Sequence, residues 1–149
     1  MSFQIVTITD ERGAVVEPQW LARAEAVHLT LRTGLPADYA GKLARVFAGG
    51  GRMCLAAEGE RVVGVAVYRI SENTFAGLNL YVDDLVTDER NRSRGVGHAL
   101  LAHLEQVAGK AGCGSLRLDS GTHRQQAHKF YFREGMVITS FSFTKPLAR

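Results

Sequence analysis

The feature that most constrains the fold is a charged, glycine-containing segment between a strand pattern and a helix pattern. Residues 78–87 predict a strand, and apolar residues recur at helical spacing over 96–111. Between them, residues 88–97 read DERNRSRGVG. The two glycines allow the backbone to approach a ligand closely, and a helix N-terminus carries about half a positive charge. The segment therefore predicts a site for phosphate oxygens, to which Arg92 and Arg94 add cationic donors.

Two familiar nucleotide motifs do not fit this segment. A dinucleotide fingerprint requires G-x-G-x-x-G directly after a strand, but Leu100 occupies the third glycine position. The sequence contains no G-x-x-x-x-G-K-[ST] segment, which excludes a P-loop. The remaining alternative to a phosphate site is a plain loop that leads into a helix beginning with glycine.

The rest of the chain predicts strands interleaved with helices. Thr122-x-x-Gln125 matches a capping box, so the last helix should begin there, and residues 71–77 predict a loop. The predicted strands are 3–9, 53–57, 62–68, 78–87, 115–119 and 136–143, and the predicted helices run from Pro18 to Gly34, from Pro36 to Gly49, from Gly95 to Gly112 and from Thr122 to Gly135. Hairpins and crossovers both occur in this order, which predicts an α/β (α+β) fold with a mixed, mostly antiparallel central sheet flanked by helices.

Composition narrows the class of protein. A chain of 149 residues with 46% hydrophobic content suits a single domain, residues 1–149. There is no run of eighteen apolar residues and no signal-peptide pattern in residues 1–10, so we expect no membrane span and no leader. Cys54 and Cys113 form neither C-x-x-C nor a zinc pattern, which predicts a reduced, cytoplasmic compartment and no metal. The net charge is +3, and outside residues 90–94 the arginines are scattered, unlike a nucleic-acid-binding face.

Two motifs together resemble the GNAT superfamily of N-acetyltransferases. Arg92-x-x-Gly95-x-Gly97 after a strand is similar to the acyl-CoA pyrophosphate motif of that family. Ala127-x-x-Phe130-Tyr131-x-x-x-Gly135 is similar to its second signature. The element order agrees as well, so the resemblance covers nearly the whole chain. It implies a transferase that moves the acetyl group of acetyl-CoA, as co-substrate, to a primary amine by direct attack in a ternary complex.

The resemblance also implies roles for individual residues. The pyrophosphate would be bound by the turn that comprises Arg92, Ser93, Arg94, Gly95, Val96, Gly97 and His98. The backbone of Leu85, Val86 and Thr87 would contact the pantetheine arm and the thioester. Phe130 would pack beside the CoA arm, and Tyr131 would protonate the leaving thiolate. Many relatives have Asn seven residues before the tyrosine, where this chain has Arg124.

The acidic residues of the predicted site are Asp83, Asp84 and Asp119. Adjacent strand residues point to opposite faces, so one of the first two should line a site unless a bulge intervenes. Asp83 aligns with an acidic position that in some relatives binds or deprotonates the amine, and we assign it the catalytic role. Asp84 and Asp119 are assigned to substrate binding, although Asp119 also suits a turn. Removing the proton from an alkylammonium at pH 7 costs about 4.6 kcal/mol, which is why a carboxylate is useful there.

Several points stay open at this level. A domain of the same fold that binds acyl-CoA as a sensor, without catalysis, is the main alternative, and a small basic nucleic-acid-binding protein is a more distant one. The mixed charges of the first two helices do not indicate whether the acceptor is a small amine, a polyamine, an antibiotic, an amino acid or a protein lysine. Alternating apolar residues at 137–143 predict an edge strand that a second copy covers, and hence a homodimer.

Overall fold

Most elements begin and end where the hydrophobic periodicity and the glycines predict. The computed structural model describes residues 3–148, which cluster into two units that divide between Leu118 and Asp119. The first unit contains β1 (Gln4–Thr7), α1 (Pro18–Leu31), α2 (Tyr39–Ala48), β2 (Arg52–Glu58), β3 (Arg61–Asn73), β4 (Gly77–Thr87), α3 (Val96–Lys110) and β5 (Ser115–Leu118). The second unit contains α4 (Gln125–Arg133).

The strands of the first unit form one sheet in the order β1-β2-β3-β4-β5. The first three pairings are antiparallel, and β4 pairs with β5 in parallel. Alternate side chains enter two separate cores, since successive strand residues point to opposite faces. Leu43 of α2 and Met53 belong to one core, whereas Leu80 and Leu100 of α3 belong to the other. The predicted mixed, mostly antiparallel sheet flanked by helices is therefore confirmed.

A bulge interrupts the pairing of β3 with β4. Val67 pairs with Asp84 and Tyr68 pairs with Val82, which leaves Asp83 as the extra residue of β4. A bulge of this kind bends its strand and redirects the side chains beside it. The two adjacent aspartates thus lie where the simple alternation of a strand is broken.

Two predicted boundaries differ from the structure. Residues 71–73 are not loop, because Ser71 pairs with Asn79 and Asn73 pairs with Gly77, so the hairpin turns only over 74–76. The second helix begins at Tyr39 and not at Pro36, since the Asp38 carboxylate accepts the N–H of Gly41 and caps it there.

The C-terminal segment departs most from the sequence prediction. The predicted strand at 136–143 is wrong, because those residues form no strand pairing in the described part of the chain. Its apolar side chains are exposed: Val137 by 75%, Ile138 by 69%, Phe141 by 82% and Phe143 by 94%. The predicted capping box is also absent, since Arg124 occupies the N-cap of α4. Alternation indicates that a segment can form a strand but does not say whether a partner is present.

Gly64 allows β3 to pack closely against α3. A Cβ there would lie 2.6 Å from Cγ1 of Val96 and 2.9 Å from Cδ1 of Leu100. We expect Gly64→Ala to lower the free energy of unfolding by about 1–3 kcal/mol through overpacking, measured by urea denaturation. Gly114→Ala is the control, because a Cβ at that position meets no atom within 4 Å. Equal stabilities of the two variants would contradict this account of the packing.

Candidate functional site

The segment between β4 and α3 is anchored at its start by hydrogen bonds. The N–H of Asp88 donates to the carbonyl of Val63, and the Asp88 carboxylate accepts the N–H of Arg90. A short 3₁₀ turn, Glu89–Asn91, follows. Asn91 is fully buried, and its Oδ1 accepts a hydrogen bond from Arg61 of β3 at 2.9 Å. The segment therefore enters the helix from a fixed position beside the sheet.

Two left-handed residues shape the turn that leads into α3. Ser93 has φ +64° and is the one non-glycine residue with positive φ among residues 3–148; Gly95, at the N-cap, has φ +87°. A non-glycine residue in this region is uncommon and is a feature of functional loops. The first α-helical hydrogen bond runs from Ala99 N–H to Gly95 O, so the earlier N–H groups of α3 point out of the helix end. N–H groups exposed in this way are suited to bind phosphate oxygens.

The arginines of the turn differ in how firmly they are held. Arg90 pairs with Asp88 at 2.9 Å, and Arg94 with Glu58 at 3.5 Å. Arg92 is 71% exposed and, among residues 3–148, has an ion pair with Glu89 alone, at 4.0 Å. Exposed pairs of this kind contribute little to stability, so Arg92 can exchange Glu89 for a phosphate at small cost.

One edge of β4 is unpaired just before this turn. The parallel ladder to β5 covers Asn79–Val82 only. Leu85, Val86 and Thr87 pair with β3 on their other side, and beyond Val82 β4 has no strand partner on the β5 side within residues 3–148. The segment 85–87 can therefore offer backbone groups to an extended ligand arm, the role that the resemblance implies for it.

A cavity of about 490 Å³ lies between α1, α2, β3 and β4. Its apolar lining includes Leu31, Leu35, Pro36, Leu43, Val46 and Val67, and its polar lining includes His28, Arg32, Lys42 and Asp84. The volume is in the range of small-molecule sites, and so is an apolar wall with a few polar groups. Of the two adjacent aspartates of β4, Asp84 is the one that lines the cavity.

Asp84 is ionised and held from two sides. Its side chain is 14% exposed; Nε2 of His28 donates to Oδ2 at 2.7 Å and Nε of Arg32 donates to Oδ1 at 2.6 Å. Burial raises the pKa of Asp84, but the hydrogen bonds and charges of His28 and Arg32 outweigh it and leave the pKa below its usual value. At neutral pH the cavity thus contains a fixed carboxylate.

His28 has a second hydrogen-bond partner. The imidazole is 2% exposed, and its Nδ1 lies 2.8 Å from the Tyr39 hydroxyl. Burial, and then the charges of Glu25 and Asp84, raise the pKa of Tyr39, so its O–H stays protonated. That hydroxyl and Nδ1 share a hydrogen bond, while Nε2 donates to the ionised carboxylate of Asp84. The three side chains form a hydrogen-bonded chain that ends on this carboxylate.

Sequence reasoning missed this role of His28, treating it only as part of a mixed-charge face. A signal was present, because Leu21, Ala24 and Val27 form the buried face of α1 and His28 lies on that face. A histidine among buried apolar positions needs polar partners, but the sequence does not say that Asp84 is one of them.

Asp83 and Asp119 are placed differently from Asp84. The carboxylate of Asp83 accepts from Nε and NH2 of Arg69 at 2.9 and 2.7 Å, and Asp83 is not among the residues that line the cavity. Asp119 is exposed and belongs to the second unit. The turn at 92–98, the open edge of β4 and Asp84 all belong to the first unit.

The second unit carries the predicted aromatic pair on α4. The rings of Phe130 and Tyr131 lie 5.4 Å apart at an interplanar angle of 60°. Burial raises the pKa of Tyr131, while the charge of Arg124 and a hydrogen bond from it act in the opposite direction without cancelling the increase. Tyr131 therefore keeps its proton at neutral pH, as a proton donor must. Arg124, at the position where many relatives have Asn, interacts with this tyrosine.

The class of protein follows from a match to a family model. The model of the acetyltransferase (GNAT) family matches residues 19–136. The chain belongs to the GNAT acetyltransferase family.

Known proteins agree at the level of family and fold. The chain is 43% identical over 72 residues to an uncharacterised N-acetyltransferase of Bacillus subtilis (48% of this chain, 51% of the relative), and 38% identical over 66 residues to the aminoalkylphosphonate N-acetyltransferase of Salmonella typhimurium (44% and 43%). The chain thus spans about half the length of these relatives or less. The aminoglycoside N-acetyltransferase AAC(6')-Iy in complex with CoA has the same fold, with a TM-score of 0.82, 15% identity and coverage of 98% of this chain and 95% of that chain.

Residues 3–148 contain neither a metal-binding cluster nor a membrane-spanning helix. No group of three or more His, Cys, Asp or Glu side chains there is arranged to hold a metal ion. No helix in that range combines the length and apolar character that crossing a membrane requires.

Proposed function

We propose that the chain transfers the acetyl group of acetyl-CoA to a primary amine by direct attack in a ternary complex. Residues 1–149 act as one domain in this proposal, and the family match across both units supports that. The observation that carries the proposal is the left-handed turn at Ser93 and Gly95, directly after the unpaired edge of β4. The turn can therefore bind the pyrophosphate, and the adjacent edge of β4 can bind the thioester end of the same ligand.

The donor half of the reaction uses backbone groups. The turn from Arg92 to His98 binds the pyrophosphate, and Phe130 packs beside the CoA arm. The open edge at 85–87 binds the pantetheine arm, and a backbone N–H there donates to the oxyanion that forms when the amine attacks the thioester carbonyl. A donor fixed in a strand does not have to reorganise as that charge develops.

The acceptor half uses the cavity beside β4. Asp84 binds and orients the ammonium, and its lowered pKa suits a group that remains charged. The ammonium proton leaves through Asp84 or a water before attack on the carbonyl carbon. The resemblance implies that Asp83 binds or deprotonates the amine. The carboxylate of Asp83 pairs with Arg69, however, so the geometry favours Asp84 for this role. Asp119 makes an additional contact with the substrate.

Collapse of the tetrahedral adduct breaks the carbon–sulfur bond. The electron pair of that bond stays on sulfur, and the Tyr131 hydroxyl gives its proton to the departing thiolate. The adduct nitrogen loses its extra proton to solvent, and solvent returns a proton to Tyr131. The raised pKa of Tyr131 supports this assignment, since the hydroxyl is protonated when the thiolate forms. The products are the N-acetylated amine and CoA with a free thiol.

The test is thiol release from acetyl-CoA with a panel of amines. The panel contains an alkylamine, a polyamine, an aminoglycoside, an aminoalkylphosphonate, lysine and a lysine-containing peptide. We expect at least one amine to release thiol at a rate that depends on both enzyme and amine. Tight acetyl-CoA binding with no transfer to any amine would instead favour the sensor.

The proposal includes a homodimer and a cytoplasmic location. The exposed apolar segment that contains Phe141 and Phe143 supports the dimer, because such a segment gains stability when a second copy covers it. The free thiols Cys54 and Cys113 support the reduced compartment. Light scattering should give about twice the chain mass of 16.2 kDa. Phe141→Ser together with Phe143→Ser should return the mass to that of one chain, and a wild-type mass of one chain would count against the dimer.

A further inference from the structure

The charges around the cavity restrict which amines fit it. Three charged side chains line it, Arg32, Lys42 and Asp84. The remaining titratable lining residue, His28, donates to Asp84 and adds no negative charge. Two cations and one anion therefore leave the lining with a net charge of at least +1.

The single carboxylate is already matched by a cation. The Arg32 guanidinium donates to Oδ1 of Asp84 and also to the backbone carbonyl of Asp83 at 2.9 Å. A carboxylate offers about four acceptor positions, so Asp84 still has room for one ammonium N–H. Its charge, however, is shared with Arg32, so a second charged contact in the cavity would add to the binding of an amine.

Lys42 carries the remaining positive charge of the cavity lining. It lies in the first half of α2, is half-buried and lines the cavity. No ion pair joins it to a carboxylate within residues 3–148. A partly desolvated ammonium at the wall of a cavity attracts an anion more strongly than one in bulk water, since the local dielectric is lower.

We infer that the acceptor is a small amine that also carries an anionic group, a carboxylate or a phosphonate. Its ammonium binds Asp84, its anion binds Lys42, and the apolar wall packs against the chain between them. Polycations fit poorly, because they bring further positive charge to a positively charged lining. The identity of the reaction rests on the proposed function, whereas the charge preference rests on the cavity alone.

The test compares four acceptors with acetyl-CoA: 4-aminobutyrate and 3-aminopropylphosphonate, which carry an anion, and n-butylamine and spermidine, which do not. We expect kcat/KM for the first two to exceed that for n-butylamine by about 10- to 100-fold, the range for one hydrogen-bonded charge contact. In Lys42→Met, a substitution of similar length and helix propensity, this ratio should fall towards one. Lys110→Met removes an exposed lysine from the end of α3 and should keep the ratio.

Calorimetry of 3-aminopropylphosphonate with the CoA-bound protein separates this inference from the proposed function. Binding by the wild type that weakens in Lys42→Met, without transfer to any amine, would support the charge preference while the proposed function fails. A kcat/KM for n-butylamine or spermidine equal to that for the anionic amines would overturn the inference. So would a Lys42→Met variant, folded by its melting temperature, that keeps the wild-type ratio.

Discussion

Tyr131→Phe should lower kcat by about 10²–10⁴-fold and leave the affinity for acetyl-CoA nearly unchanged. The hydroxyl acts chiefly when carbon–sulfur cleavage places charge on sulfur. Its loss therefore raises the free energy of the transition state and does not change the binding of acetyl-CoA. The ring remains, and with it the packing against Phe130. For the same reason kcat should fall much more than KM rises.

The control for this prediction is Tyr68→Phe. Tyr68 is a buried tyrosine of β3 that packs in the core against α3, and it has no part in the proposed chemistry. It should keep the wild-type kcat. Unchanged turnover in Tyr131→Phe, measured with an amine that the wild type accepts, would remove this tyrosine from the mechanism and make water or buffer the proton source.

Asp84→Asn should lower kcat/KM by about 10²–10³-fold, the cost of removing one partner from a mostly buried, hydrogen-bonded charge contact. The substitution preserves shape but removes the negative charge to which His28, Arg32 and the incoming ammonium are directed. Because backbone groups of 85–87, and not the Asp84 side chain, bind the pantetheine arm, the affinity for acetyl-CoA should not change. A melting curve checks that the variant folds.

Asp83→Asn is a matched control, since it makes the same substitution one residue away. The carboxylate of Asp83 is bound to Arg69, so its loss should cost far less activity than the loss of Asp84. A larger loss of kcat/KM in Asp83→Asn than in Asp84→Asn would contradict the assignment of Asp84. It would give the catalytic role to Asp83, as the resemblance implies.

The sequence predicts well those features that depend on nearby residues. Helical spacing and flanking glycines locate α1 and α3, and the charged segment before α3 locates the left-handed turn. The hairpin of β3 and β4 is longer than predicted, because polar residues such as Ser71 and Asn73 pair along it although they carry no strand pattern. Backbone pairing there depends on the opposite strand and not on local composition.

Features that depend on distant residues could not be predicted in the same way. Asp84 and His28 are separated by 56 positions, and only the packing of α1 against the sheet makes them a pair. The bulge at Asp83 decides which aspartate reaches the cavity, and no residue type marks it in the sequence. The segment 136–143 has strand alternation without a strand partner in residues 3–148, because pairing needs a neighbour as well as a pattern.

Melting temperature with and without acetyl-CoA tests the central claim most directly. A ligand that binds only the native state stabilises it by about 2.7 kcal/mol at 100 times its Kd, which corresponds to roughly 5–10 °C for a chain of this size. Gly97→Asp places a carboxylate in the first turn of α3, where it favours the helix but opposes the pyrophosphate. Gly114→Asp adds the same charge in open space as a control. The account predicts a shift of several degrees for the wild type and Gly114→Asp and none for Gly97→Asp; a wild-type melting temperature unmoved by millimolar acetyl-CoA would contradict it.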